Sequence, residues 1–373
     1  GRTYAAWVKF AQPFPVVFSY TDDGGQSWSS PVSINSPANR SAGGDVAIGA
    51  GGEVYVCWAG VTETSPFKEI QVGFAKSADG GGQWSVYENA FAVNGITGVL
   101  PEKGNIRVNG LPAIDTDTTS GPYHGNIYIV TGQKNLAPSG NDPDIVLYRS
   151  TDDGESWSQG IRVNQDAINN GKIQYFPSIH VDRYGAINIL FYDDRNTSSD
   201  STGVYLARST DAGESWTEFE ISDHHFKPEP IGGLGQGYQG DNIDLTSTPS
   251  TLWPVWMDNS SGLYQIWTAP VDFSAIGQIE EQNNDLGNRI SIAPNPVVNS
   301  LRIRLKYIQN ETVSVNFYNL NGKRLYSGEF IASSEIHQTH QMDLPDLMPF
   351  KSVFLVEIKS EKVKKVQRVI RAR

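Results

Sequence analysis

The residues of this 373-residue sequence that can bind or transform a ligand are concentrated in the segments between strand-like runs. Guanidinium groups bind carboxylates through paired hydrogen bonds. Carboxyl groups transfer protons, and phenols can attack an electrophile. The candidates from separate segments are Arg40, Arg107, Arg195, Asp45, Asp241, Tyr175 and Tyr238. They form a site only if the fold brings these segments together.

Arg195 also has a purely structural interpretation. It follows two acidic residues in Tyr-Asp-Asp-Arg-Asn, so its guanidinium can pair with Asp193 or Asp194 at a strand end. Exposed pairs of this kind contribute about 0 to 1 kcal/mol to stability. The sequence leaves both roles open and favours the structural one.

Metal-binding patterns are weak. His224 and His225 are adjacent, so in an extended strand their rings point to opposite sides and cannot hold one ion together. Asp193, Asp194 and Asp200 offer oxygen ligands, but their spacing is not that of a calcium-binding loop. We therefore predict no metal centre and no cofactor, with a structural Ca²⁺ as an alternative that the spacing does not support.

An eight-residue pattern, Ser/Thr-x-Asp-x-Gly-x-x-Trp, occurs at 21–28, 77–84, 150–157 and 209–216. Each copy lies between two alternating runs, which is typical of a hairpin turn. In such a turn the aspartate accepts backbone N–H bonds, the glycine takes positive φ, and the tryptophan covers the hairpin. We therefore predict a scaffold role for Asp23, Gly25, Trp28, Asp79, Gly81, Trp84, Asp152, Gly154, Trp157, Asp211, Gly213 and Trp216.

The period of the pattern predicts the fold. The copies recur every 55 to 75 residues, roughly one four-stranded propeller blade plus a long loop. Further strand pairs lie between the copies, so the sequence predicts an all-β chain that opens with a β-propeller. We expect about five blades here, the first without its innermost strand, and six in the full-length protein. Residues 1–20 do not have the features of a signal peptide, so we expect an N-terminal part to be missing.

These turns and strands resemble the Asp-box (BNR) repeat propellers, whose best-known members are sialidases. The resemblance covers about residues 1–273 and is specific for fold rather than activity. It places the Asp boxes on the face opposite the ligand site. The family's Phe/Tyr-Arg-Ile-Pro signature is absent from 1–373. For a retaining sialidase-type hydrolase, the resemblance implies carboxylate binding by Arg40, Arg107 and Arg195, nucleophilic attack by Tyr175 or Tyr238, and proton transfer by Asp45 or Asp241.

A second domain is predicted at 289–373, after a polar linker at 274–288. It opens with Pro294, Asn295 and Pro296, continues in alternating runs with an Asn-Gly turn, and ends in basic residues. This order predicts a small antiparallel β-sandwich and resembles the C-terminal sorting domain of the type IX secretion system. The resemblance implies export by that machinery, with release or attachment at the outer cell surface. The segment PFKSVF at 349–354 departs from the family, which usually has a glycine before the aromatic residue. A fibronectin-like module is the alternative.

Charge and hydropathy exclude other classes. The net charge is −12, with the acidic excess in the N-terminal part, which disfavours a nucleic-acid partner. The single cysteine rules out an intrachain disulfide, and there is no apolar run of about 18 residues for a transmembrane segment. We expect a monomer.

Two functions therefore compete. The first is a sialidase-like propeller that acts on extracellular glycans or glycoproteins, with exo-glycosidase activity as its enzymatic form. The second is a non-catalytic, adhesin-like propeller that binds glycans or proteins. A convergent arginine cluster beside a Tyr-Glu pair would distinguish them.

Overall fold

The computed structural model describes residues 1–273, 276, 290–293, 300–306, 308–319, 323–335, 337–344, 353–360 and 364–370. These form two compact units: Gly1–Pro249 with Trp253–Thr268, and Ser250–Leu252 with the described residues from Ala269 onward. Almost all of their regular elements are β-strands, so the all-β prediction is confirmed. The predicted linker at 274–288 lies outside the described residues apart from Ile276, and the domain boundaries stay a prediction.

The described residues 1–268 form five successive antiparallel sheets and one inserted hairpin. Sheet 1 contains β1 (Thr3–Val8), β2 (Val16–Thr21) and β3 (Val32–Ser33). Sheet 2 contains β4 (Ser41–Ile48), β5 (Val54–Val61), β6 (Glu69–Ser77) and β7 (Ser85–Ala92). The hairpin consists of β8 (Gly98–Leu100) and β9 (Ile106–Val108), with a 3₁₀ turn at Pro101–Lys103 between them.

Sheet 3 contains β10 (Ala113–Thr116), β11 (Ile127–Gln133), β12 (Asp144–Ser150) and β13 (Ile161–Arg162). Sheet 4 contains β14 (Gln174–Val181), β15 (Ile187–Asp193), β16 (Gly203–Ser209) and β17 (Thr217–Glu220). After a 3₁₀ turn at Gly233–Gly235, sheet 5 contains β18 (Asp244–Ser247), β19 (Thr251–Asp258) and β20 (Gln265–Thr268). The short strand β21 (Val271–Asp272) pairs with the first two residues of β19.

The sheets are arranged as propeller blades. Sheets 2, 3 and 4 are four-stranded meanders in chain order. Their first strands and β18 are neighbours in the order β4, β10, β14, β18, with β1 beside β4. These strands therefore surround a common axis, and the chain contains a β-propeller. In sheet 1 the Asp box follows the second strand, whereas in sheets 2 to 4 it follows the third.

Each Asp box forms the same hydrogen-bonded turn. In the second box, the Ser77 hydroxyl donates to Asp79 and accepts the N–H of Gly81, both at 2.8 Å. Asp79 in turn accepts the N–H of Gln83 at 2.9 Å, and this bond lowers the pKa of its carboxyl group. Gly81 has φ +99°, which favours glycine. The other three boxes repeat these bonds.

The Asp boxes also join neighbouring blades. The Trp84 ring lies 4.9 Å from that of Phe18 in the preceding sheet, at 73°. Trp157 repeats this arrangement with Phe74 of the preceding sheet at 5.3 Å. Trp28, in the first box, has no preceding sheet among those described, and it is 47% exposed. The box tryptophan therefore stabilises the contact between two blades.

The second unit contains β22 (Ile290–Ala293), β23 (Ser300–Lys306), β24 (Thr312–Tyr318), β25 (Arg324–Ile331), β26 (His337–Asp343), β27 (Val353–Lys359) and β28 (Lys364–Ile370). They form two antiparallel sheets, β22-β23-β26 and β25-β24-β27-β28. Side chains from both sheets share one buried core, with Leu301 and Ile303 from one and Phe317 and Val356 from the other. This is the predicted small β-sandwich. Pro294, Asn295 and Pro296 lie outside the described residues.

Candidate functional site

A cavity of about 440 Å³ lies where the innermost strands of sheets 2 to 5 meet. We call it the axial cavity; its lining consists of residues 44–46, 109, 111–115, 176–179 and 241–244. Four carboxyl groups from three segments of the chain are part of this lining: Asp45, Asp115, Asp241 and Asp244. Two residues with proposed acid roles, Asp45 and Asp241, are thus brought to one place.

Two of the innermost strands are irregular at the cavity. The pairing of β4 shifts between Ala42 and Asp45, where Gly43 and Gly44 have φ +74° and +139°. In β14 the shift lies between Tyr175 and Ser178. Such bulges re-aim the side chains that follow them, which here are Asp45 and Ser178.

Phe176, within the bulge of β14, has φ +51°, an uncommon conformation for a bulky residue. Its ring packs at 5.2 Å against Tyr175 and at 6.3 Å against Tyr192. Backbone strain of this kind costs about 1 to 3 kcal/mol and tends to occur at functional sites.

Three of the carboxylates also connect neighbouring innermost strands. Asp45 accepts the backbone N–H groups of Val46 and Ile114, at 2.8 and 2.9 Å. Asp115 accepts the N–H of Val181 at 2.7 Å, and Asp244 accepts the Ser178 hydroxyl at 2.9 Å. The cavity wall is therefore held by its own acidic groups.

Asp45 has an unusual acidity. Burial raises the pKa of its carboxyl group to about 6, and the charges of Asp244 and Asp115 act in the same direction. The two backbone donors oppose this shift. A carboxyl group with a pKa near 6 can hold a proton at mildly acidic pH and deliver it to a ligand.

The inserted hairpin and a later loop form one rim of the cavity. The backbone N–H of Arg107 donates to Gly237 at 2.8 Å, and its guanidinium carbon lies 4.9 Å from the centre of the Tyr238 ring. Asn109 donates to Asp241 at 3.2 Å. The hairpin thus holds the loop that presents Tyr238 and Asp241.

Lys103 anchors the hairpin through buried contacts that the sequence does not predict. Its side chain is fully buried, and Nζ donates to Asp194 at 2.5 Å and to the carbonyl of Ser201 at 3.1 Å. Asp194 also accepts the N–H of Ile173 at 2.7 Å. In the sequence, Pro-Glu-Lys-Gly-Asn is typical of an exposed turn, so no local signal indicates this burial.

The two candidate nucleophiles differ in environment. Tyr175 is completely buried, its hydroxyl donates to Gln239 at 3.0 Å, and burial raises its pKa well above the ordinary value. Tyr238 lies at the rim beside Arg107 and is partly exposed. Tyr175 is therefore buried behind the residues that line the cavity, and burial disfavours the ionised form of its hydroxyl group.

The three arginines make separate contacts. Arg195 pairs with Asp193 at 2.6 Å and binds both carboxylate oxygens of Glu218, at 2.6 and 2.7 Å. The guanidinium carbon of Arg40 lies 4.5 and 4.3 Å from the ring centres of Phe14 and Phe67. None of the residues that line the axial cavity, all within the described part of the chain, is an arginine. The arginine clamp stays a prediction.

The carboxylates considered as calcium ligands each have a cationic partner. Asp193 pairs with Arg195, Asp194 with Lys103, and Asp200 with Lys227. The pairing of Asp193 with Arg195 agrees with the structural interpretation of the sequence. The pairing of Asp194 with Lys103 does not follow from sequence spacing, because these residues lie 91 positions apart.

The C-terminal part of the chain matches a known protein family. Residues 291–372 match the family described as "Secretion system C-terminal sorting domain". Residues 291–372 are therefore a secretion sorting domain. A sorting domain of this family directs type IX export, so the protein is secreted or displayed at the cell surface. No helix within the described residues has both the length and the apolar character needed to cross a membrane.

No curated protein sequence matches this chain. Among solved structures, a protein of unknown function from Dyadobacter fermentans has a TM-score of 0.44 and 12% identity, over 97% of this chain and 85% of that one. An α-L-arabinanase from Penicillium chrysogenum has a TM-score of 0.46 and 14% identity, over 82% and 85% of the two chains. The α-L-arabinofuranosidase of Fusarium graminearum has a TM-score of 0.46 and 15% identity, over 74% and 90%. Likenesses at this level do not indicate a substrate.

Proposed function

We propose that the propeller of this exported protein binds an uncharged extracellular glycan in the axial cavity. The observation that carries this proposal is the meeting of four carboxyl groups, from three segments of the chain, around one cavity of about 440 Å³. Asn109 and Asn242 add amide groups to the lining, and Phe176 adds an aromatic ring. Carboxylates and amides bind sugar hydroxyls, while an aromatic ring packs on the C–H face of a sugar.

The charge of the cavity supports an uncharged ligand over a sialylated one. Each carboxylate within about 4 Å of an anionic group opposes its binding by about 1 to 4 kcal/mol, depending on solvent access. The lining holds four aspartates and no lysine or arginine, and all of these residues are described. This is why we propose a neutral glycan rather than the sialoside that the family resemblance suggests.

Binding to immobilised neutral, uronic-acid-containing and sialylated glycans tests the proposal. Deglycosylated proteins are included to detect binding to protein instead of glycan. We expect neutral glycans to bind, and Asp241→Asn and Asp244→Asn to weaken binding about tenfold each. Glu63→Gln, at an exposed position outside the lining, is the matched control for loss of one negative charge. Preference for sialylated glycans, or binding only to deglycosylated proteins, would overturn the proposal.

Hydrolysis of the bound glycan is a second candidate function, favoured by the raised pKa of Asp45. In this scheme Asp45 protonates the leaving oxygen, and Asp241 or Asp244 acts as the second carboxylate. We expect release of reducing ends to decline above a pH of about 6, because Asp45 loses its proton there. Asp45→Asn should abolish release while binding persists. A glycan that binds without any release of reducing ends would leave binding as the only function.

A further inference from the structure

A second cavity lies beside the axial cavity. It has a volume of about 300 Å³, and we call it the rim cleft. Its walls come from the loop between β17 and β18, with Met257 of β19 opposite. Asp241 lines both cavities, so the two adjoin at this residue.

The rim cleft differs chemically from the axial cavity. Four of its lining residues, Ile231, Leu234, Tyr238 and Met257, contribute apolar groups, and its polar side chains are those of Gln236 and Asp241. Leu234 is 100% exposed although it lies next to this apolar wall. A polar cavity that continues into an apolar cleft suits a ligand with both hydroxyl edges and C–H faces.

The loop that forms the cleft is held in place before any ligand binds. Ile231 and Tyr238 are joined by a backbone hydrogen bond of 2.9 Å, and Gly237 donates back to Ile231 at 2.9 Å. Arg107 fixes the loop from outside through its backbone N–H and its position over the Tyr238 ring. A preformed cleft saves part of the entropic cost of ordering a loop on binding.

We infer that the rim cleft binds a second sugar unit of the glycan held in the axial cavity, so that the ligand is an oligosaccharide rather than a single sugar. This inference rests on the proposed function. Asp241 accepts hydrogen bonds from sugar hydroxyl groups where the two sugar units join. The outer unit packs its C–H face against Tyr238 and Leu234, which removes apolar surface from water.

Affinity as a function of chain length tests this inference. The probes are the mono- to tetrasaccharides of the arabino-, xylo- and cello-series, titrated by calorimetry against the full chain. In the series that binds, we expect an increase in affinity of about tenfold from the monosaccharide to the disaccharide or trisaccharide. Leu234→Ala should remove most of this increase and leave monosaccharide binding unchanged, whereas Asp241→Asn should weaken binding at every length.

Leu263→Ala is the matched control, because Leu263 is also exposed, at 73%, but does not line the cleft. It should keep the full increase with chain length. Equal affinity for all lengths in the wild-type protein would overturn the second subsite and leave the proposed function intact. Failure of every neutral sugar to bind, in the glycan binding assay as well as here, would overturn both. Loss of monosaccharide binding in Leu234→Ala would also contradict a separate outer subsite.

Discussion

Asp45 of β4 accepts the backbone N–H of Ile114 in β10 at 2.9 Å, so one carboxylate connects the innermost strands of two neighbouring blades. The same group lines the axial cavity and has a pKa of about 6. One side chain therefore has a structural role and a proposed chemical role. Measurements of stability report on the first, and measurements of activity report on the second.

Stability should depend on the ionisation of Asp45. Its folded-state pKa is raised from 3.8 to about 6, so the native state binds the proton more tightly than the unfolded state does. The resulting penalty is absent below pH 4, grows between pH 4 and 6, and is complete above pH 6. Asp45→Asn removes this penalty. From pH 4 to pH 7, the free energy of unfolding of the variant should therefore rise by about 1 to 3 kcal/mol relative to that of the wild type. Urea denaturation of the wild type and of Asp45→Asn at pH 4 and at pH 7 measures this change, with the difference between the two proteins at pH 4 as the reference. The same difference at both pH values would contradict the prediction.

The contact between an Asp-box tryptophan and the preceding blade predicts unequal effects of equivalent substitutions. Trp84→Ala removes the ring that packs on Phe18 at 4.9 Å, and should lower the free energy of unfolding by about 2 to 4 kcal/mol. Trp28→Ala is the control at the same position of the first box, where the side chain is 47% exposed, and should cost less than about 1 kcal/mol. Fluorescence reports on the propeller, since all nine tryptophans lie between residues 7 and 267. Equal losses would show that the blade contact is not the source of the stability.

The same comparison can be made at the Asp-box glycines. Gly81 and Gly25 have similar φ values, +99° and +90°, so an alanine strains the backbone of both. A Cβ on Gly81 would lie 2.2 Å from the Phe18 ring, whereas one on Gly25 has only its own box's Trp28, at 4.0 Å. We expect Gly81→Ala to cost about 1 to 3 kcal/mol more than Gly25→Ala in urea denaturation. If the two cost the same, the positive φ alone accounts for the glycine.

Lys103 and Asp194 should behave as a coupled buried pair. Lys103→Met leaves the Asp194 carboxylate buried without its cation and should cost about 3 to 5 kcal/mol. Asp194→Asn in the same chain keeps an acceptor for the Ile173 N–H and removes the unpaired charge. The double variant should therefore be more stable than Lys103→Met alone. A double-mutant cycle measures the coupling, and strictly additive losses would contradict it.

The Asp boxes could be predicted from sequence because each is a local structure. In the second box, six positions separate the first and last residues of the hydrogen-bonded network, which is formed by Ser77, Asp79, Gly81, Gly82 and Gln83. The side chains and the backbone φ that the turn needs are specified within that span. The sorting domain was predicted from the order of its sequence motifs, and the family match at 291–372 confirms it. The pairing of β24 with β27, which joins Ser314 to Lys359, was not predicted.

The candidate site depended on tertiary structure. Asp45 reaches Ile114 across 69 residues, Lys103 reaches Asp194 across 91, and Asn109 reaches Asp241 across 132. Such contacts follow from strand register and from the packing of one blade on the next, and a change of register by one residue would turn each side chain to the other face. The sequence by itself determined the repeated turns, the all-β architecture and the sorting domain. Only the tertiary structure decided which aspartates share a cavity, that Arg195 also binds Glu218, and that Lys103 is buried, because burial and charge pairing arise when distant segments meet.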